Sequence, residues 1–358
     1  MVNQYKITQS EDGTVTRDGT VTEGAVGPLV WRMTVNGVQK LQRNAMSELS
    51  FKYQALSSYP GQQFQTWLEM QERAADGTSK DVCVSNVVTH VYKAPVALNP
   101  KKWVAFPLES RIDINHNTRR LRFKLPVEDL GLPVGMHIFL KGKIDGAPVM
   151  RAYTPVGCGP FYVEFIIKVY FPLPPKFPDG GKLTQHMETL KVGDTLDFKG
   201  PLGEFDFDCS GVSLPRDTLS TFKKEGKPGG SFKHLGLIAG GSGITPCLQV
   251  AEALLQLDRD FTISLLYANQ TPEDILCQEE LDAIVKDPRV KVWYTVDRAP
   301  DGWKYSTGFI NEDMLREHLP AASEHTYVFM CGPPPMLKFA CRPNLDKLGH
   351  AEERVLAF

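Results

Sequence analysis

The feature that most constrains the fold is an alternation of apolar strands and helices from about residue 233 to the end of the chain. Strand His234–Ala239 is apolar except at its first residue, as expected for a parallel strand buried on both faces. Further strands are predicted at Phe261–Tyr267, Val290–Val296 and Thr326–Cys331. The helices predicted between and after them are Thr245–Leu257, Cys277–Lys286, Asn311–His318 and one from Pro335. This alternation predicts an α/β domain with a doubly wound parallel sheet.

The region from about residue 96 to 228 has a different pattern, with short strands divided by glycine and proline. Their spacing is typical of a small antiparallel β-barrel. A helix is predicted within Gly181–Leu190, and a loop rich in Pro, Gly and Lys at about 210–232 marks a boundary. The predicted strands are Arg120–Leu125, His137–Lys143, Met150–Pro155, Phe161–Tyr170 and Thr195–Gly200.

Length then suggests the domain organisation. At about 150 residues per domain, 358 residues correspond to two domains and a remainder. We predict an N-terminal extension of unknown fold at 1–95, a barrel domain at 96–228 and an α/β domain at 229–358. A haem domain of the cytochrome b5 type would need a His-Pro-Gly-Gly motif and a second His. The extension contains only His90, so it is not such a domain.

Composition excludes several classes of protein. The 40 basic and 42 acidic residues nearly cancel, which argues against nucleic-acid binding over the whole surface but allows a local basic patch. No apolar run approaches the length of a membrane-spanning helix, and the N-terminus lacks the pattern of a secretory signal. The seven cysteines include no CxxC pair, which argues against a zinc ribbon or a disulfide framework. We therefore expect reduced thiols, no bound metal and a cytoplasmic location.

The first candidate site is Gly240-Gly241-Ser242-Gly243-Ile244-Thr245-Pro246, between a buried strand and a helix. Glycines allow a phosphate to approach the backbone, and the helix N-terminus offers free N–H groups. The dinucleotide fingerprint GxGxxG does not fit, because position 246 is proline. The motif is either a different nucleotide loop or only a tight turn.

Three more stretches carry polar chemistry. Arg151-Ala-Tyr153-Thr154-Pro155 offers a guanidinium for phosphate and a ring for stacking, or is an ordinary strand end. Gly180-Gly181-Lys182-Leu183-Thr184 is a second candidate anion site at a helix start, or a simple N-cap. Cys331-Gly332-Pro333-Pro334-Pro335-Met336 follows the last internal strand, where ligands of open α/β sheets bind. No acid or base beside Cys331 suggests a nucleophile.

In this combination and order, the four stretches resemble the NADH-cytochrome b5 reductase family of ferredoxin-reductase-like flavoproteins, which includes the reductase portion of nitrate reductases. RAYT at 151–154 matches the flavin signature RxYT, GGKLT at 180–184 matches GGKMS, GGSGITP at 240–246 matches GGTGITP, and CGPPPM at 331–336 is intact. The resemblance covers about 98–358. His186 stands where Tyr is common. RAYT is the nitrate reductase variant whereas DRAP at 297–300 is typical of the free reductases, so the subfamily stays open.

The resemblance implies a set of FAD-binding residues. Arg151 would contact the pyrophosphate, Tyr153 would pack on the isoalloxazine ring, and Thr154 would hydrogen-bond near flavin N5. His137 lies where the family has a histidine that connects through Thr154 to N5, although a lone strand histidine is more often structural. The other implied FAD contacts are Lys168, Tyr170, Gly181, Lys182, Leu183, Thr184 and Thr245.

For NADH, the resemblance implies that Gly241 and Gly243 approach the dinucleotide. Asp274 matches an acid that disfavours a 2′-phosphate, which predicts a preference for NADH; its alternative role is an N-cap of the following helix. The pocket would be shaped by Cys331, Gly332, Pro333 and Met336. Cys331 joins Thr154 and His137 as a catalytic candidate.

The implied function is an FAD-dependent oxidoreductase that passes electrons from NADH to a one-electron haem acceptor, cytochrome b5. One alternative is the reductase segment of a nitrate reductase-like multidomain enzyme. Another is a nucleotide-binding regulatory protein that has lost turnover. Lys182, with Lys223, Lys224 and Lys227, forms a hypothetical docking patch for an acidic cytochrome b5, unless these are only solvated lysines. Any association with a membrane would then be peripheral and made through partners.

Overall fold

The computed structural model describes residues 6–9, 14–18, 29–35, 38–44, 50–52, 63–73, 79–83, 88–91, 95–175, 177–209 and 215–358. The chain divides into two compact units, Met1–Pro95 and Val96–Phe358. In the first unit the described strands pair only in antiparallel fashion, in two sheets of order β1-β2-β5 and β4-β3-β6-β7, with β8 beside β6. These strands are β1 (Lys6–Gln9), β2 (Thr14–Asp18), β3 (Leu29–Val35), β4 (Val38–Asn44), β5 (Ser50–Lys52), β6 (Gln63–Arg73), β7 (Ser79–Cys83) and β8 (Val88–Val91).

The second unit begins with a curled antiparallel sheet, which confirms the predicted barrel. Side chains alternate along its strands: Leu121 and Phe123 of β10, and Ile138 and Leu140 of β11, are buried while their neighbours are less so. The strand order is β12-β11-β15-β9-β10-β14-β13. Its elements are β9 (Val104–Asn115), β10 (Thr118–Lys124), β11 (His137–Ile144), β12 (Ala147–Tyr153), β13 (Gly157–Gly159), β14 (Tyr162–Lys168), α1 (Lys182–Thr189) and β15 (Thr195–Leu202).

Helix α1 closes one end of this barrel. It buries Leu183 and Met187 in the barrel core. Glu188, on the same helix, accepts hydrogen bonds from Arg111 (2.9 Å) and Arg119 (2.8 Å) of the sheet. Burial opposes ionisation of Glu188, but the two guanidinium groups outweigh it and lower its pKa. These ion pairs hold the C-terminal end of α1 to the strands, while Leu183 holds its first turn in the barrel core.

The segment predicted as a boundary loop is folded, which corrects that prediction. β16 (Phe205–Phe207), β17 (Ser220–Lys224) and β18 (Lys227–Phe232) form an antiparallel sheet; residues 210–214 lie outside the described part. The alternation of apolar and polar residues that predicts a strand is weak here, because Phe222 and Phe232 are the only large buried residues of this hairpin. Lysines and glycines fill most of its other positions. The rings of Phe205, Phe207 and Phe222 lie 5.1, 5.1 and 5.2 Å from that of Phe329. This aromatic cluster joins the barrel to the following sheet.

The last region is a six-stranded parallel sheet of order β22-β21-β20-β19-β23-β24 with helices, which confirms the predicted doubly wound domain. Its strands are β19 (His234–Gly240), β20 (Thr262–Asn269), β21 (Val290–Val296), β22 (Ser306–Thr307), β23 (Thr326–Cys331) and β24 (Val355–Ala357). Its helices are α2 (Ile244–Leu255), α3 (Gln278–Ile284), α4 (Glu312–His318) and α5 (Arg342–Lys347), the last preceded by a π-helical segment, Met336–Cys341. Among the described residues, no helix is long and apolar enough to cross a membrane.

Candidate functional site

The barrel and the parallel sheet meet at one large cleft of about 1780 Å³. This volume exceeds the roughly 300–1,000 Å³ of a pocket for one drug-sized ligand, so two nucleotides can be accommodated. Every site residue predicted from the sequence lines it: His137, Arg151, Tyr153, Thr154, Lys168, Tyr170, Gly181, Lys182, Leu183, Thr184, Gly241, Gly243, Thr245, Asp274, Cys331, Gly332, Pro333 and Met336.

The end of β12 presents a cation beside an aromatic ring. The Arg151 guanidinium is exposed and donates to the neighbouring Met150 carbonyl (2.7 Å). In the described part of the chain, Arg151 has no carboxylate partner, so its charge is available to an anionic ligand. Tyr153 is partly buried, which raises its pKa and keeps the phenol neutral. Thr154 is buried at 7% exposure.

The N-terminus of α1 is built to receive an anion. Its N-cap, Gly181, supplies no side-chain cap, so the N–H groups of the first turn are open to a ligand. Gly180 has a φ of +63°, and a Cβ there would lie 2.5 Å from the Tyr170 carbonyl oxygen, so glycine is required. Thr184 donates to the Gly181 carbonyl (2.9 Å) and accepts from the Tyr170 amide (3.2 Å). Lys182 is exposed beside this turn.

The turn after β19 is the second open glycine turn. Gly241 has a φ of +54°, and no atom lies within 4 Å of the position its Cβ would take. Gly243, the N-cap of α2, also makes no side-chain cap. A Cβ on Gly243 would lie 2.2 Å from the Cys331 carbonyl oxygen. The GGSG turn and the CGPPPM turn are therefore in backbone contact, which only glycine permits.

Cys331 lies at the end of β23, within this contact. Burial raises the pKa of its thiol to about 11, so it stays protonated at neutral pH. A protonated thiol is a poor nucleophile, which agrees with the absence of a neighbouring base in the sequence. Its place in the cleft is suited to contact with a ligand rather than covalent chemistry.

Lys168 and Asp274 form an ion pair across the cleft. Lys168 ends β14 of the barrel, and Asp274 lies in the turn after β20; their Nζ and Oδ1 atoms are 2.6 Å apart. Burial opposes ionisation of Asp274, but Lys168 and a hydrogen bond from Thr271 outweigh it and lower its pKa. Asp274 is not an N-cap, because the next helix begins after Cys277. That alternative is therefore wrong.

His137 is the first residue of β11 and is partly buried at the cleft. Burial lowers the pKa of its imidazole, so the ring is neutral at pH 7 and able to accept a proton. His186, the departure in the α1 motif, does not line the cleft; its ring faces Gly142 of the barrel.

Sequence reasoning missed several residues that line the cleft. Four are exposed phenylalanines, and nothing in the sequence distinguishes an exposed aromatic residue from a core one. Asn269 was detectable, since it is a polar residue at the carboxyl end of a buried strand. Its buried side-chain amide has no hydrogen-bond partner within the described residues. The missed phenylalanines are Phe171, Phe177, Phe309 and Phe339.

Comparison with known families assigns both halves of this unit. Residues 105–207 match the oxidoreductase FAD-binding domain family, and residues 237–342 match the oxidoreductase NAD-binding domain family. NADH-cytochrome b5 reductase 2 of Xenopus tropicalis is 45% identical over 276 residues, covering 74% of this chain and 89% of the relative. Spinach nitrate reductase is also 45% identical over 276 residues, which cover 28% of that enzyme.

Two solved structures share the fold of this chain. The cytochrome b5 reductase domain of Ulva prolifera nitrate reductase superimposes with a TM-score of 0.67 at 42% identity, over 74% of this chain and all of that domain. The CS-b5R domains of human Ncb5or superimpose with a TM-score of 0.58 at 17% identity, over the full length of both chains. The second likeness concerns the fold alone, and it includes the N-terminal unit.

Proposed function

Because the chain belongs to the NADH-cytochrome b5 reductase family, we propose that it oxidises NADH and passes the electrons through FAD to cytochrome b5. The chain is an oxidoreductase with FAD-binding and NAD-binding domains. One observation carries the proposal: two glycine turns without side-chain caps line a single cleft with Arg151, which has no carboxylate partner among the described residues. Two anion-binding turns in one cleft would bring two dinucleotides close to each other, which supports electron exchange between them.

The residues of the barrel side fit FAD. Arg151, Lys182 and the open N–H groups after Gly181 would hold its pyrophosphate, since the two side chains have no carboxylate partner in the described part of the chain and the N-cap supplies no side-chain bond. Tyr153 offers a neutral ring for the flavin. When bound, FAD supplies a hydride acceptor that can release its electrons singly. The neutral His137 and the buried Thr154 hydroxyl would serve proton movement at the barrel end of the cleft.

The residues of the sheet side fit NADH. The Gly241 turn opens directly to the cleft, where a phosphate can approach the backbone. Asp274 keeps its negative charge at neutral pH because its pKa is lowered. An ionised carboxylate accepts a hydrogen bond from a ribose 2′-hydroxyl and repels a 2′-phosphate, which supports NADH over NADPH.

A basic surface supports the choice of acceptor. Lys223, Lys224 and Lys227 are all exposed on the β17–β18 hairpin, and Lys182 is exposed at the cleft. Acids lie among them: Glu204 is 3.9 Å from Lys224 (Oε2 to Nζ), Asp206 stands opposite Lys223 on β16, and Glu225 follows Lys224 in the turn. Exposed lysines can attract an acidic protein such as cytochrome b5 and accelerate its association, so we propose this hairpin, with Lys182, as the docking surface.

The test is reconstitution. Purified protein should carry visible flavin absorbance, lose it on anaerobic addition of NADH, and recover it when oxidised cytochrome b5 is mixed in. Protein without flavin, or flavin that NADH does not reduce, would support a regulatory nucleotide-binding protein instead. A flavin that NADH reduces but that gives no electrons to cytochrome b5 would contradict the choice of acceptor.

The reductase segment of a nitrate reductase is the second candidate, favoured by the 42% identity to the Ulva domain. The matched segment covers 89% of the frog reductase and 28% of spinach nitrate reductase. Kinetics with two acceptors, cytochrome b5 and an isolated nitrate reductase haem domain, decide between the two candidates. The acceptor with the larger kcat/KM identifies the function.

The domain limits and the location belong to the same proposal. We assign FAD binding to 96–228, NADH binding to 229–358 and a separate N-terminal unit to 1–95. A chain that begins at residue 96 should keep NADH–ferricyanide turnover if the first unit is a partner-binding module. Cell fractionation should find the protein in the cytoplasm, with any membrane fraction released by salt.

A further inference from the structure

Tyr267 lies in the core of the NADH-binding half but uses its hydroxyl at the edge of the cleft. It stands near the carboxyl end of β20, is 0% exposed, and packs its ring 6.2 Å from that of Tyr294. Its hydroxyl donates to the Gly241 carbonyl (2.9 Å) and accepts from the Leu276 amide (3.2 Å). One oxygen atom therefore connects the turn after β19 with the segment that follows β20.

The first bond fixes the open glycine turn. A trans peptide points its C=O and the following N–H in opposite directions. Because the Gly241 carbonyl is directed at the core hydroxyl, the Ser242 N–H is directed away from the core, and Ser242 lines the cleft. The same carbonyl also accepts from the Ile244 amide, so both of its lone pairs are used. Without the hydroxyl, the Gly241 carbonyl would keep only its bond from the Ile244 amide, and the turn would be held less firmly.

The second bond fixes the acidic turn. Leu276 is buried two residues after Asp274, and its amide is held by the Tyr267 hydroxyl. Asp274 is held from the other side by Lys168 and Thr271. The backbone after Asp274 is therefore hydrogen-bonded to the same buried hydroxyl as Gly241.

We propose that the Tyr267 hydroxyl is a positioning group that sets the spacing between the Gly241–Ser242 turn and the Asp274 turn, so that one NADH molecule contacts both. This inference rests on the proposed function, because it takes NADH as the ligand of these turns. It adds that dinucleotide affinity and discrimination against the 2′-phosphate are coupled through one buried side chain outside the signature motifs. The FAD-binding side is independent of it, since neither hydrogen bond involves the barrel.

The test is Tyr267→Phe, which keeps the ring and removes only the hydroxyl. The loss of two hydrogen bonds predicts a KM for NADH and a Kd for NAD⁺ raised about three- to tenfold. The ratio of kcat/KM for NADH over NADPH should fall by about threefold or more, while flavin content and kcat with ferricyanide stay within about twofold. Tyr294→Phe is the matched control, because it is a buried neighbouring tyrosine on β21 whose hydroxyl bonds to neither turn.

The outcomes separate the two proposals. A Tyr267→Phe protein with a lower Tm but wild-type KM, Kd and selectivity overturns the positioning role and leaves the proposed function intact. An equal rise in KM for Tyr294→Phe also overturns it, because the effect would then come from packing. If NADH does not reduce the flavin of the wild-type protein, the proposed function fails first, and the positioning role fails with it.

Discussion

The ammonium of Lys168 and the carboxylate of Asp274 lie 2.6 Å apart, although one belongs to the barrel and the other to the parallel sheet. Asp274, the acid proposed to contact the ribose 2′-hydroxyl, is therefore already ion-paired, and its counter-ion belongs to the barrel. Loss of the Asp274 carboxylate would therefore leave the Lys168 ammonium without this partner.

Asp274→Ala should shift the preference from NADH towards NADPH. The change removes the charge that repels a 2′-phosphate and leaves the Lys168 ammonium free to attract it. We expect kcat/KM for NADPH to rise about tenfold and that for NADH to fall. Glu273→Ala, which removes an exposed neighbouring acid outside the cleft, is the control. An unchanged preference would remove Asp274 from the ribose site.

Gly243→Ala should weaken NADH binding without loss of flavin. Its new Cβ would lie 2.2 Å from the Cys331 carbonyl oxygen, so the two nucleotide turns must separate. We expect KM for NADH to rise about tenfold or more, measured by steady-state kinetics with ferricyanide. Gly236→Ala is the control, because its Cβ would meet only side chains, the nearest at 3.1 Å. Wild-type KM in Gly243→Ala would show that the contact is not needed.

His137→Gln should remove an acid limb from the pH profile of turnover. Burial lowers the pKa of His137 below the usual histidine value of about 6.5. The wild-type ring therefore becomes protonated, and unable to accept a proton, only at a pH below that value. We expect the wild-type rate to fall below that pH, and the variant to show a kcat about 10- to 100-fold lower without this fall. His186→Gln, outside the cleft, should keep both rate and profile. A variant with a wild-type profile would assign His137 a structural role.

Glu188→Gln should destabilise the protein by about 1–2 kcal/mol near pH 7, because it removes the charge that holds Arg111 and Arg119. The pKa of Glu188 is lowered on folding, so its contribution is complete above the unfolded value of about 4.3 and is lost as the pH falls through the folded value. Denaturant titrations of both proteins between pH 7 and pH 3 should therefore converge at the acid end. A constant difference would show that the ion pairs are not its source.

Lys223→Glu/Lys224→Glu should raise KM for cytochrome b5 about tenfold at low ionic strength. The effect should shrink with added salt, since screening shortens the range of surface charges. NADH–ferricyanide turnover should not change. Lys101→Glu/Lys102→Glu, exposed at the start of the barrel domain, is the matched control. An unchanged KM with an unchanged salt dependence would remove the hairpin from the docking surface.

The regular parts of the fold were predictable because their signals are local. Strands Val290–Val296 and Thr326–Cys331 were predicted with the observed bounds, since each is a run rich in β-branched and aromatic residues between turns. The helix expected from Cys277 begins one residue later because Cys277 itself has a φ of +57°. Such a left-handed start leaves no mark in hydrophobic periodicity. The β17–β18 hairpin was missed because lysines and glycines surround its two buried phenylalanines.

The site was predictable where glycine, proline and charge form motifs, and less so where it depends on pairing between distant segments. The motifs gave Arg151, Lys182 and Gly241 by their chemistry and order. Nothing local indicated that Lys168 would pair with Asp274, which lies 106 positions along the chain, or that the Tyr267 hydroxyl would reach Gly241. The first contact requires the barrel to pack against the parallel sheet, and the second requires β19 and β20 to pair.

The aromatic cluster around Phe329 has a mechanical consequence. Phe205 and Phe207, at the end of the barrel, and Phe222, on the connecting hairpin, share one hydrophobic core with β23 of the parallel sheet. Pulling the two halves apart would expose these rings to water, at a cost that grows with the apolar area uncovered. The two halves should therefore unfold in a single cooperative transition. The width of the cleft between them should stay constant, without opening and closing of the halves.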